Sequence, residues 1–187
     1  MATRTTKRPA TKKATAKKAP GKRAVSKKAP ARQEVPDLPG KDAAKVVGVL
    51  QDRLVCLLDL QLTLKHVHWN VVGPNFIAVH EMLDPQVLKV REMSDQVAER
   101  IATCGGEPLG TPGAVVATRR WDDYSLGRAS TQEHLEALDA VYAGVISDHR
   151  DAVDDLEDLD PVSEDLMIAH LGELELFAWF VRSHLGR

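Results

Sequence analysis

The chain of 187 residues has few cysteines and few aromatic residues, and each shortage excludes a class of structure. Its two cysteines, Cys56 and Cys104, stand alone and far apart, so neither a zinc ribbon nor a disulfide framework is expected. Reduced thiols in a cytoplasm are the simpler interpretation. Aromatic residues make up only 4% of the chain against 43% for all hydrophobic residues, so the core must be largely aliphatic. Packed helices suit such a core better than an aromatic-rich β-sandwich.

Long hydrophobic runs and N-terminal acidic residues are also missing. No apolar run is long enough to cross a bilayer and the N-terminus has no signal-peptide core, so the sequence predicts a soluble protein without a membrane partner. Residues 1–33 contain 12 of the 25 Lys and Arg residues and no acid. The remaining 13 basic residues stand against all 27 acids, which gives the rest of the chain a formal net charge of −14. A basic tail is therefore attached to an acidic body.

The tail repeats a basic pair every five residues, as in "ATKKATAKKAPGKRAVSKKAPAR". Its Ala, Thr, Pro and Gly residues cannot bury enough apolar surface to offset the entropy of ordering. We therefore predict a disordered tail and linker over residues 1–40 and a folded domain over residues 41–187. A spacing of five places successive pairs on different helix faces, which argues against an amphipathic membrane helix. The abundance of lysine and proline argues against a transit peptide.

The composition of the tail is similar to the Lys/Ala/Pro arms of histone-like proteins. Flexible cations bind phosphate groups and release counterions without reading base sequence. We therefore predict non-specific DNA binding by this segment, with a merely solubilising arm as the alternative. The residues predicted to contact DNA are Arg4, Lys7, Arg8, Lys12, Lys13, Lys17, Lys18, Lys22, Arg23, Lys27, Lys28 and Arg32.

After the linker "QEVPDLPG", the apolar residues follow the period of a helix. One inward stripe runs through Val47, Leu50, Leu54, Leu57, Gln61, Leu64 and His68. Gly73 and Pro74 end this first helix. A second helix is predicted from about Asn75 to Ala102, where "CGG" stops it.

Two more long helices follow a connection that has room for one short helix. The third helix begins with the capping-box pair Ser130 and Glu133, and the fourth begins at Asp160, with Pro161 at its first helical position. No strand pattern competes with the helical one. Two hairpins of long helices joined by one longer crossover resemble an all-α, ferritin-like four-helix bundle.

Four polar residues of the second helix share one face of it. At about 100° per residue, His80, Asp84, Asp95 and Glu99 lie within about 100° of one another. Leu88 lies on the same face, as does Ala98, so we expect this face to be at least partly buried. His68 lies on the inward stripe of the first helix. Because buried carboxylates are costly without a partner, a bound cation would relieve the cost.

The spacing of these residues requires a second chain. Asp84 and Asp95 are 11 residues apart, or roughly 16 Å along a straight helix, whereas metal ligands lie about 2 Å from the ion. Two copies of the helix packed antiparallel about a two-fold axis would bring His80 and Asp84 of one chain to Asp95 and Glu99 of the other. The spacing therefore predicts a dimer.

The segment "HWNVVGPNFIAVHEMLD" resembles the signature of the Dps family, the mini-ferritins known as DNA-binding proteins from starved cells. The resemblance extends to "FAWFVRSHL" near the C-terminus. It implies that His68, His80, Asp84, Asp95 and Glu99 are the ferroxidase ligands, in a site between two subunits that has room for two iron ions. It further implies a hollow dodecamer, oxidation of Fe(II) preferentially by hydrogen peroxide, and a ferric mineral core. With the basic tail, it predicts a cytoplasmic, nucleoid-associated ferroxidase that stores iron and protects DNA.

Several residues near these positions have two interpretations. His66 is a surface or packing histidine, since it faces another side of the helix from His68. Trp69 either adjoins the site, as the family's tryptophan does, or is a core aromatic. Pro85 removes the hydrogen bond to the carbonyl of Glu81 and is a candidate kink just after Asp84. Three aspartates of the third helix line either an iron entry pore or a solvated acidic face: Asp139, Asp148 and Asp151.

Two other functions remain as alternatives to a ferroxidase. In the first, the cage is a scaffold for many tails that compact the nucleoid, and iron oxidation is minor. The five intact ligand positions argue against it. In the second, the same scaffold is a zinc-dependent hydrolase, but the sequence offers no distinct nucleophile or general base.

Overall fold

The structure, a computed structural model, describes residues 38–186, and the predicted basic tail lies outside them. The described residues form five helices and two very short strands. In chain order these are α1 (Gly40–Asn70), β1 (Val71–Val72), α2 (Phe76–Thr103), α3 (Pro112–Thr118), β2 (Ala129–Ser130), α4 (Thr131–Leu156) and α5 (Pro161–His184). Helix α1 packs against α2 and α4 against α5, with α3 in the crossover. The predicted ferritin-like four-helix bundle is therefore confirmed.

Local sequence signals place the helix starts where they were predicted. Ser130 and Glu133 form the full capping box, with the backbone N–H of Glu133 donating to Oγ of Ser130 over 3.3 Å. Asp160 caps α5 by accepting from the backbone N–H of Ser163. Arg100, near the end of α2, donates to the same Asp160 carboxylate over 2.6 Å. This ion pair ties the start of α5 to α2.

The turn between α1 and α2 depends on two residues with positive φ. Gly73 has φ of 102° and Asn75, the N-cap of α2, has φ of 61°. Both values fall in the region that glycine and asparagine tolerate best. The turn reverses the chain, so that the last turn of α1 lies beside the first turns of α2.

The core of the bundle is aliphatic, as the composition predicts. Of the predicted inward stripe of α1, Val47 and Gln61 are half-buried at its edges. The remaining members are buried: Leu50, Leu54, Leu57, Leu64 and His68. From α2 the buried apolar residues are Val79, Leu83, Val90, Met93, Val97 and Ile101. No helix within residues 38–186 is long and apolar enough to span a membrane.

The connection from α2 to α4 lies along the length of α1. Near its start, Leu109 exchanges backbone hydrogen bonds with the amide group of Gln51, at 2.9 and 3.0 Å. Further along, the carboxylate of Asp59 accepts from Arg119 over 3.2 Å and from the indole N–H of Trp121 over 2.7 Å. These polar contacts fix the middle of the connection against α1.

The connection ends in a feature that the sequence does not predict. Val71–Val72 pair in parallel with Ala129–Ser130, so two residues on each side form a minimal sheet at the end of α1. Just before it, the carbonyl oxygen of Leu126 lies 2.7 Å from Nε2 of His66. Two residues are too few to show the alternation of apolar and polar residues that predicts a strand. The strands form because the connection returns to the end of α1 and pairs with it there.

Candidate metal centre

His68 and His80 face each other across the hairpin of α1 and α2. Their rings stack with centroids 3.6 Å apart and planes inclined by 22°. His68 is 7% exposed, and His80 is half-buried. The two rings stack because the turn at Gly73 places the last turn of α1 beside the start of α2.

Each of the two rings donates a hydrogen bond to the backbone of the other residue. Nδ1 of His68 lies 2.9 Å from the carbonyl oxygen of His80, and Nδ1 of His80 lies 2.9 Å from the carbonyl oxygen of His68. A carbonyl oxygen can only accept, so both Nδ1 atoms carry the hydrogen. In the neutral rings, both Nε2 atoms therefore keep their lone pairs. Fixing the tautomer through Nδ1 is how proteins prepare an imidazole to bind a metal through Nε2.

Asp84 lies one turn beyond His80 and joins the same group. One of its carboxylate oxygens is 3.4 Å from Nδ1 of His68. The same oxygen is 2.7 Å from Nζ of Lys65, one turn before His68 on α1. The hydrogen bond from Lys65 lowers the pKa of the exposed Asp84 carboxyl, and the nearby histidine adds to the effect. Asp84 is therefore an ionised carboxylate at neutral pH.

Asp95 and Glu99 belong to the same helix but lie away from the histidine pair. They lie about three and four turns beyond Asp84 along α2, which places Asp95 roughly 16 Å from Asp84. Both side chains are exposed in the single chain. The structure therefore places the five predicted ligands in two separate groups: His68, His80 and Asp84 in one, Asp95 and Glu99 in the other.

The prediction that this face of α2 is at least partly buried is confirmed only in part for the single chain, where His80 and Ala98 are half-buried. Leu88, on the same face, is 68% exposed, and Asp84 is exposed as well. The core of the bundle lies against another face, marked by Leu83 and Val90. Helical periodicity showed which residues share a face, but not whether that face meets the chain's own core.

A single chain does not complete a metal site. Within residues 38–186 of one chain, no three His, Cys, Asp or Glu side chains come together in a way that could hold a metal ion. Cys56 and Cys104 are both free and buried, as expected. Burial raises the pKa of the Cys56 thiol to about 12, which makes it a poor ligand at neutral pH.

The residues with two interpretations are placed as follows. His66 is half-buried and packs against the crossover connection, so its interpretation as a packing histidine is confirmed. Trp69 is not a core aromatic, because it is 71% exposed. Pro85 lies inside α2, which continues through it without a break. Asp148 lies 3.4 Å from the buried guanidinium of Arg53 in an ion pair.

The other two aspartates that were predicted to line a pore or an acidic face, Asp139 and Asp151, lie in different surroundings from Asp148. Asp151 is exposed and lines, with Asp148, a cleft of about 1110 Å³ between α1 and α4. Asp139 is half-buried and does not line this cleft. The three side chains therefore do not form one acidic group in a single chain, and their role in a pore stays a prediction about an assembly.

Sequence reasoning missed Lys65. Its side chain reaches across from α1 to the carboxylate of Asp84, 19 residues later. The signal was available, since Lys65 precedes His68 by three residues and therefore points to the same side of α1. The sequence analysis assigned no role to Lys65, whereas in the structure its ammonium group contacts a carboxylate oxygen that a metal ion would use.

The comparisons with known proteins identify the family of the chain. Residues 48–187 match the family model described as a ferritin-like domain, which defines the class of the protein. The DNA protection during starvation protein of Mycolicibacterium smegmatis (strain ATCC 700084 / mc(2)155) is 62% identical over 151 residues, which cover 81% of this chain and 82% of that protein.

Two solved structures extend the comparison to the fold. The tetragonal form of Mycobacterium smegmatis Dps superposes with a TM-score of 0.82 at 61% identity, covering 83% of this chain and 94% of that one. DpsA14 from Streptomyces coelicolor gives a TM-score of 0.80 at 60% identity, covering 81% and 90%. This chain belongs to the Dps family of ferritin-like proteins.

Proposed function

We propose that the protein is a ferroxidase and iron store of the Dps type that also binds and protects DNA. The observation that carries the proposal is the reciprocal pair of hydrogen bonds between His68 and His80. These bonds leave the Nε2 lone pair of each neutral ring unused, and the ionised Asp84 carboxylate lies 3.4 Å from Nδ1 of His68. Imidazole nitrogen and carboxylate oxygen together suit Fe(II), and carboxylate favours Fe(III) once it has formed.

The active site forms between two copies of the chain. His68, His80 and Asp84 supply one half of it, and Asp95 and Glu99 of a second copy supply the other half. An antiparallel two-fold arrangement provides this pairing twice at each interface, because a two-fold interface repeats every contact. The exposure of Asp84, Asp95 and Glu99 in the single chain supports it, since ligands held for a second subunit remain uncovered until that subunit binds.

Iron is the substrate, with room for two ions at each shared site, and hydrogen peroxide is the proposed oxidant. Two Fe(II) ions give one electron each. The peroxide accepts both electrons and two protons, its O–O bond breaks, and two water molecules form. Pairing the electrons in this way releases no hydroxyl radical, which matters for a protein that binds DNA.

Assembly and DNA binding complete the proposal. A hollow dodecamer would hold the ferric mineral, and the basic residues of the tail named above would bind DNA phosphates without sequence preference. The protein would then work in the cytoplasm, associated with the nucleoid. The names of the relatives from M. smegmatis support the DNA-protecting part of this role.

A complementation experiment tests the shared site. The variant His80→Ala/Asp84→Ala lacks one half and the variant Asp95→Ala/Glu99→Ala lacks the other, so each alone should oxidise Fe(II) at a background rate. In a mixed pair of chains, one of the two sites receives both mutated halves and the other receives both intact halves. Random mixing after disassembly should therefore restore about a quarter of the wild-type sites.

Two controls make the result decisive. The variant Asp154→Ala/Asp158→Ala removes exposed carboxylates near the end of α4 and should oxidise iron like the wild type. Subunit exchange is verified by mass spectrometry of differently tagged chains. A verified mixture as inactive as its parents would disprove the intersubunit site. A wild-type rate in both parent variants would show that these four residues do not carry iron oxidation. A background rate in the wild type itself would favour the alternative in which the protein is a nucleoid scaffold and iron oxidation is minor.

A further inference from the structure

A tyrosine and a histidine form a hydrogen-bonded pair on the side of α1 opposite the half-site formed by His68, His80 and Asp84. Oη of Tyr124 lies 2.9 Å from Nδ1 of His134, with the two rings nearly parallel and their centroids 6.0 Å apart. Tyr124 belongs to the crossover connection and His134 to the first turn of α4. His66 packs against Tyr124 edge-on, with ring centroids 5.9 Å apart. The pair is therefore separated from His68 by about one helix diameter, ~10 Å.

His134 is prepared to receive a proton from Tyr124. Its side chain is 0% exposed. Burial lowers its pKa, so the ring is neutral at physiological pH, while the carbonyl groups of Asn70 and Gly127 act in the opposite direction and favour its protonated form. Among the described residues, Nε2 of His134 has no hydrogen-bond partner of ordinary geometry. We assign the proton of the neutral ring to Nε2, because the carbonyl groups of Asn70 and Gly127 favour a proton on the ring; Nδ1 then accepts from the phenol and is free to take its proton.

The other tyrosine of the chain provides a contrast. Tyr142 is 0% exposed and donates its hydroxyl hydrogen to Oε1 of Gln86 over 2.7 Å. An amide oxygen accepts a hydrogen bond but does not take up the proton at neutral pH. Both tyrosines are hydrogen-bonded, yet only Tyr124 has a base as its partner. The chain contains two tyrosines in all, so this difference can be tested within one protein.

We propose that Tyr124 and His134 form a redox-active pair that captures single oxidising equivalents, with Tyr124 as the electron donor and His134 as the proton acceptor. A phenol that loses an electron becomes a strong acid, so the electron can leave readily only if a base takes the proton at once. The pair meets this condition in the ground state because its atoms are already in hydrogen-bond contact.

The step balances with hydroxyl radical as the oxidant. When one Fe(II) ion alone reduces hydrogen peroxide, the O–O bond breaks and gives Fe(III), hydroxide and a hydroxyl radical. Tyr124 then supplies one electron to the hydroxyl radical or to an oxidised group that it produces. The O–H bond of Tyr124 breaks, its proton moves to Nδ1 of His134, and the products are a neutral phenoxyl radical and an imidazolium. The oxidant leaves as hydroxide.

The position of the pair fits this role. Tyr124 lines the cleft of about 1110 Å³ between α1 and α4, and so does Trp121. Small oxidants that reach this cleft therefore meet an oxidisable side chain that has a proton acceptor behind it. Tyr142 has no such exposure. The inference rests on the proposed function only for its iron route, in which a site that holds a single Fe(II) ion cannot pair the electrons and releases a hydroxyl radical. The chemistry of the pair does not depend on iron.

Electron paramagnetic resonance tests the pair in two ways. In the first, hydrogen peroxide is added to protein loaded with less than one Fe(II) ion per site, and the sample is frozen within milliseconds. In the second, metal-free protein is oxidised by flash-generated tris(bipyridine)ruthenium(III), which needs no iron site. Tyrosine with a deuterated ring identifies the signal as tyrosyl. Both measurements should give a tyrosyl radical in the wild type.

Three variants assign the radical to the pair. Tyr124→Phe should reduce the signal at least tenfold, whereas Tyr142→Phe should leave it unchanged. His134→Gln keeps a hydrogen-bond acceptor but removes the base, reproducing the environment of Tyr142, and should reduce the signal severalfold. Circular dichroism and assembly size are checked for each variant, so that loss of structure is not mistaken for loss of the radical.

The outcomes separate this proposal from the proposed function. A Tyr124-dependent radical in the light-driven experiment supports the pair, whatever the iron experiment gives. If it appears with light but not with iron and peroxide, the pair stands and single Fe(II) ions are not its source of radicals. An undiminished light-driven signal in Tyr124→Phe, or in a correctly folded His134→Gln, would overturn the proposal.

Discussion

Two buried histidines should make the bundle sensitive to mild acid. His149 on α4 is 0% exposed and His170 on α5 is 3% exposed. Nδ1 of His149 donates to the carbonyl oxygen of Val145, and Nε2 of His170 lies 2.8 Å from the amide oxygen of Gln96. In the part of the chain that the structure describes, the other nitrogen of each ring has no hydrogen-bond partner. A second proton would therefore create a buried, unsatisfied N–H group.

The surroundings of both rings oppose protonation. Burial is the largest cause of the lowered pKa of His149, about 3, and the charge of Arg53 on α1 adds to it. Burial also lowers the pKa of His170 to about 4, where Lys89 on α2 adds to the effect and Glu92 partly offsets it. Both rings are therefore neutral in the folded protein throughout the physiological range.

The direction of the pH effect follows from these values. The unfolded chain has histidines with an ordinary pKa of about 6.5, so it binds more protons than the folded chain below that pH. Stability is therefore fully present above pH 6.5 and is lost as the pH falls from 6.5 toward the folded values. At pH 5 the cost is about 2 kcal/mol for each histidine and about 4 kcal/mol for both.

Urea unfolding at pH 7, 6 and 5 measures this loss. The variant His149→Asn/His170→Gln keeps one amide donor near each original nitrogen but cannot titrate. With an m-value of about 2–3 kcal/mol/M, the wild type should lose about 1–2 M more of its urea midpoint between pH 7 and pH 5 than the variant does. Comparing slopes rather than absolute values removes the contributions of all other titrating groups.

The matched control is His184→Gln, which removes an exposed histidine at the end of α5. It should lose stability with falling pH to the same extent as the wild type. If the double variant also follows the wild-type slope while its assembly size is unchanged, the two buried rings do not carry the acid sensitivity and the reasoning is refuted.

Two further predictions concern the metal site and the tail. Lys65→Met removes the ammonium group that contacts Asp84. Fe(II) should then bind His68, His80 and Asp84 severalfold more tightly in an anaerobic titration, because Lys65 no longer repels the cation or competes with it for the carboxylate oxygen. The control Lys89→Met on α2 should leave the affinity for Fe(II) unchanged. An equal gain of affinity in both variants would show only a general effect of net charge. Deleting residues 1–33 should abolish DNA binding in gel shifts while iron oxidation continues, because the remaining body carries −14. Full-length binding should weaken with salt at a log–log slope of about −0.9 per phosphate neutralised, no steeper than about −11 for one tail; undiminished binding by the truncated protein would contradict this.

The sequence predicts the bundle well because its helices carry repeated signals. Each of the long helices has an apolar stripe several turns long, and Ser130 and Asp160 mark two helix starts by capping. The repeated signals agree with one another, so an error at one position changes little. The positions of Val71–Val72 and of the connection along α1 depend on single side-chain contacts, which leave no period in the sequence.

The candidate site could be predicted only in part, for a related reason. Spacing along α2 was enough to separate Asp84 from Asp95, which the structure confirms, and to predict a second chain, which stays a prediction. It could not show the reciprocal bonds of His68 and His80, because these depend on the backbone turn at Gly73. Nor could it show that Lys65 occupies a carboxylate oxygen of Asp84, since a flexible lysine has many rotamers and its choice is made by tertiary structure.

The connection along α1 also sets where the folded chain opens most easily. It is held to α1 chiefly by polar contacts at Gln51, Asp59 and His66, and most of its residues are exposed. Segments with little buried apolar surface detach at a lower free-energy cost than the core helices do. Local opening of this segment would break the pairing of Ala129–Ser130 with Val71–Val72 while the four long helices stay packed. We therefore expect backbone amide hydrogens to exchange more slowly in the four long helices than in the connection from α2 to α4.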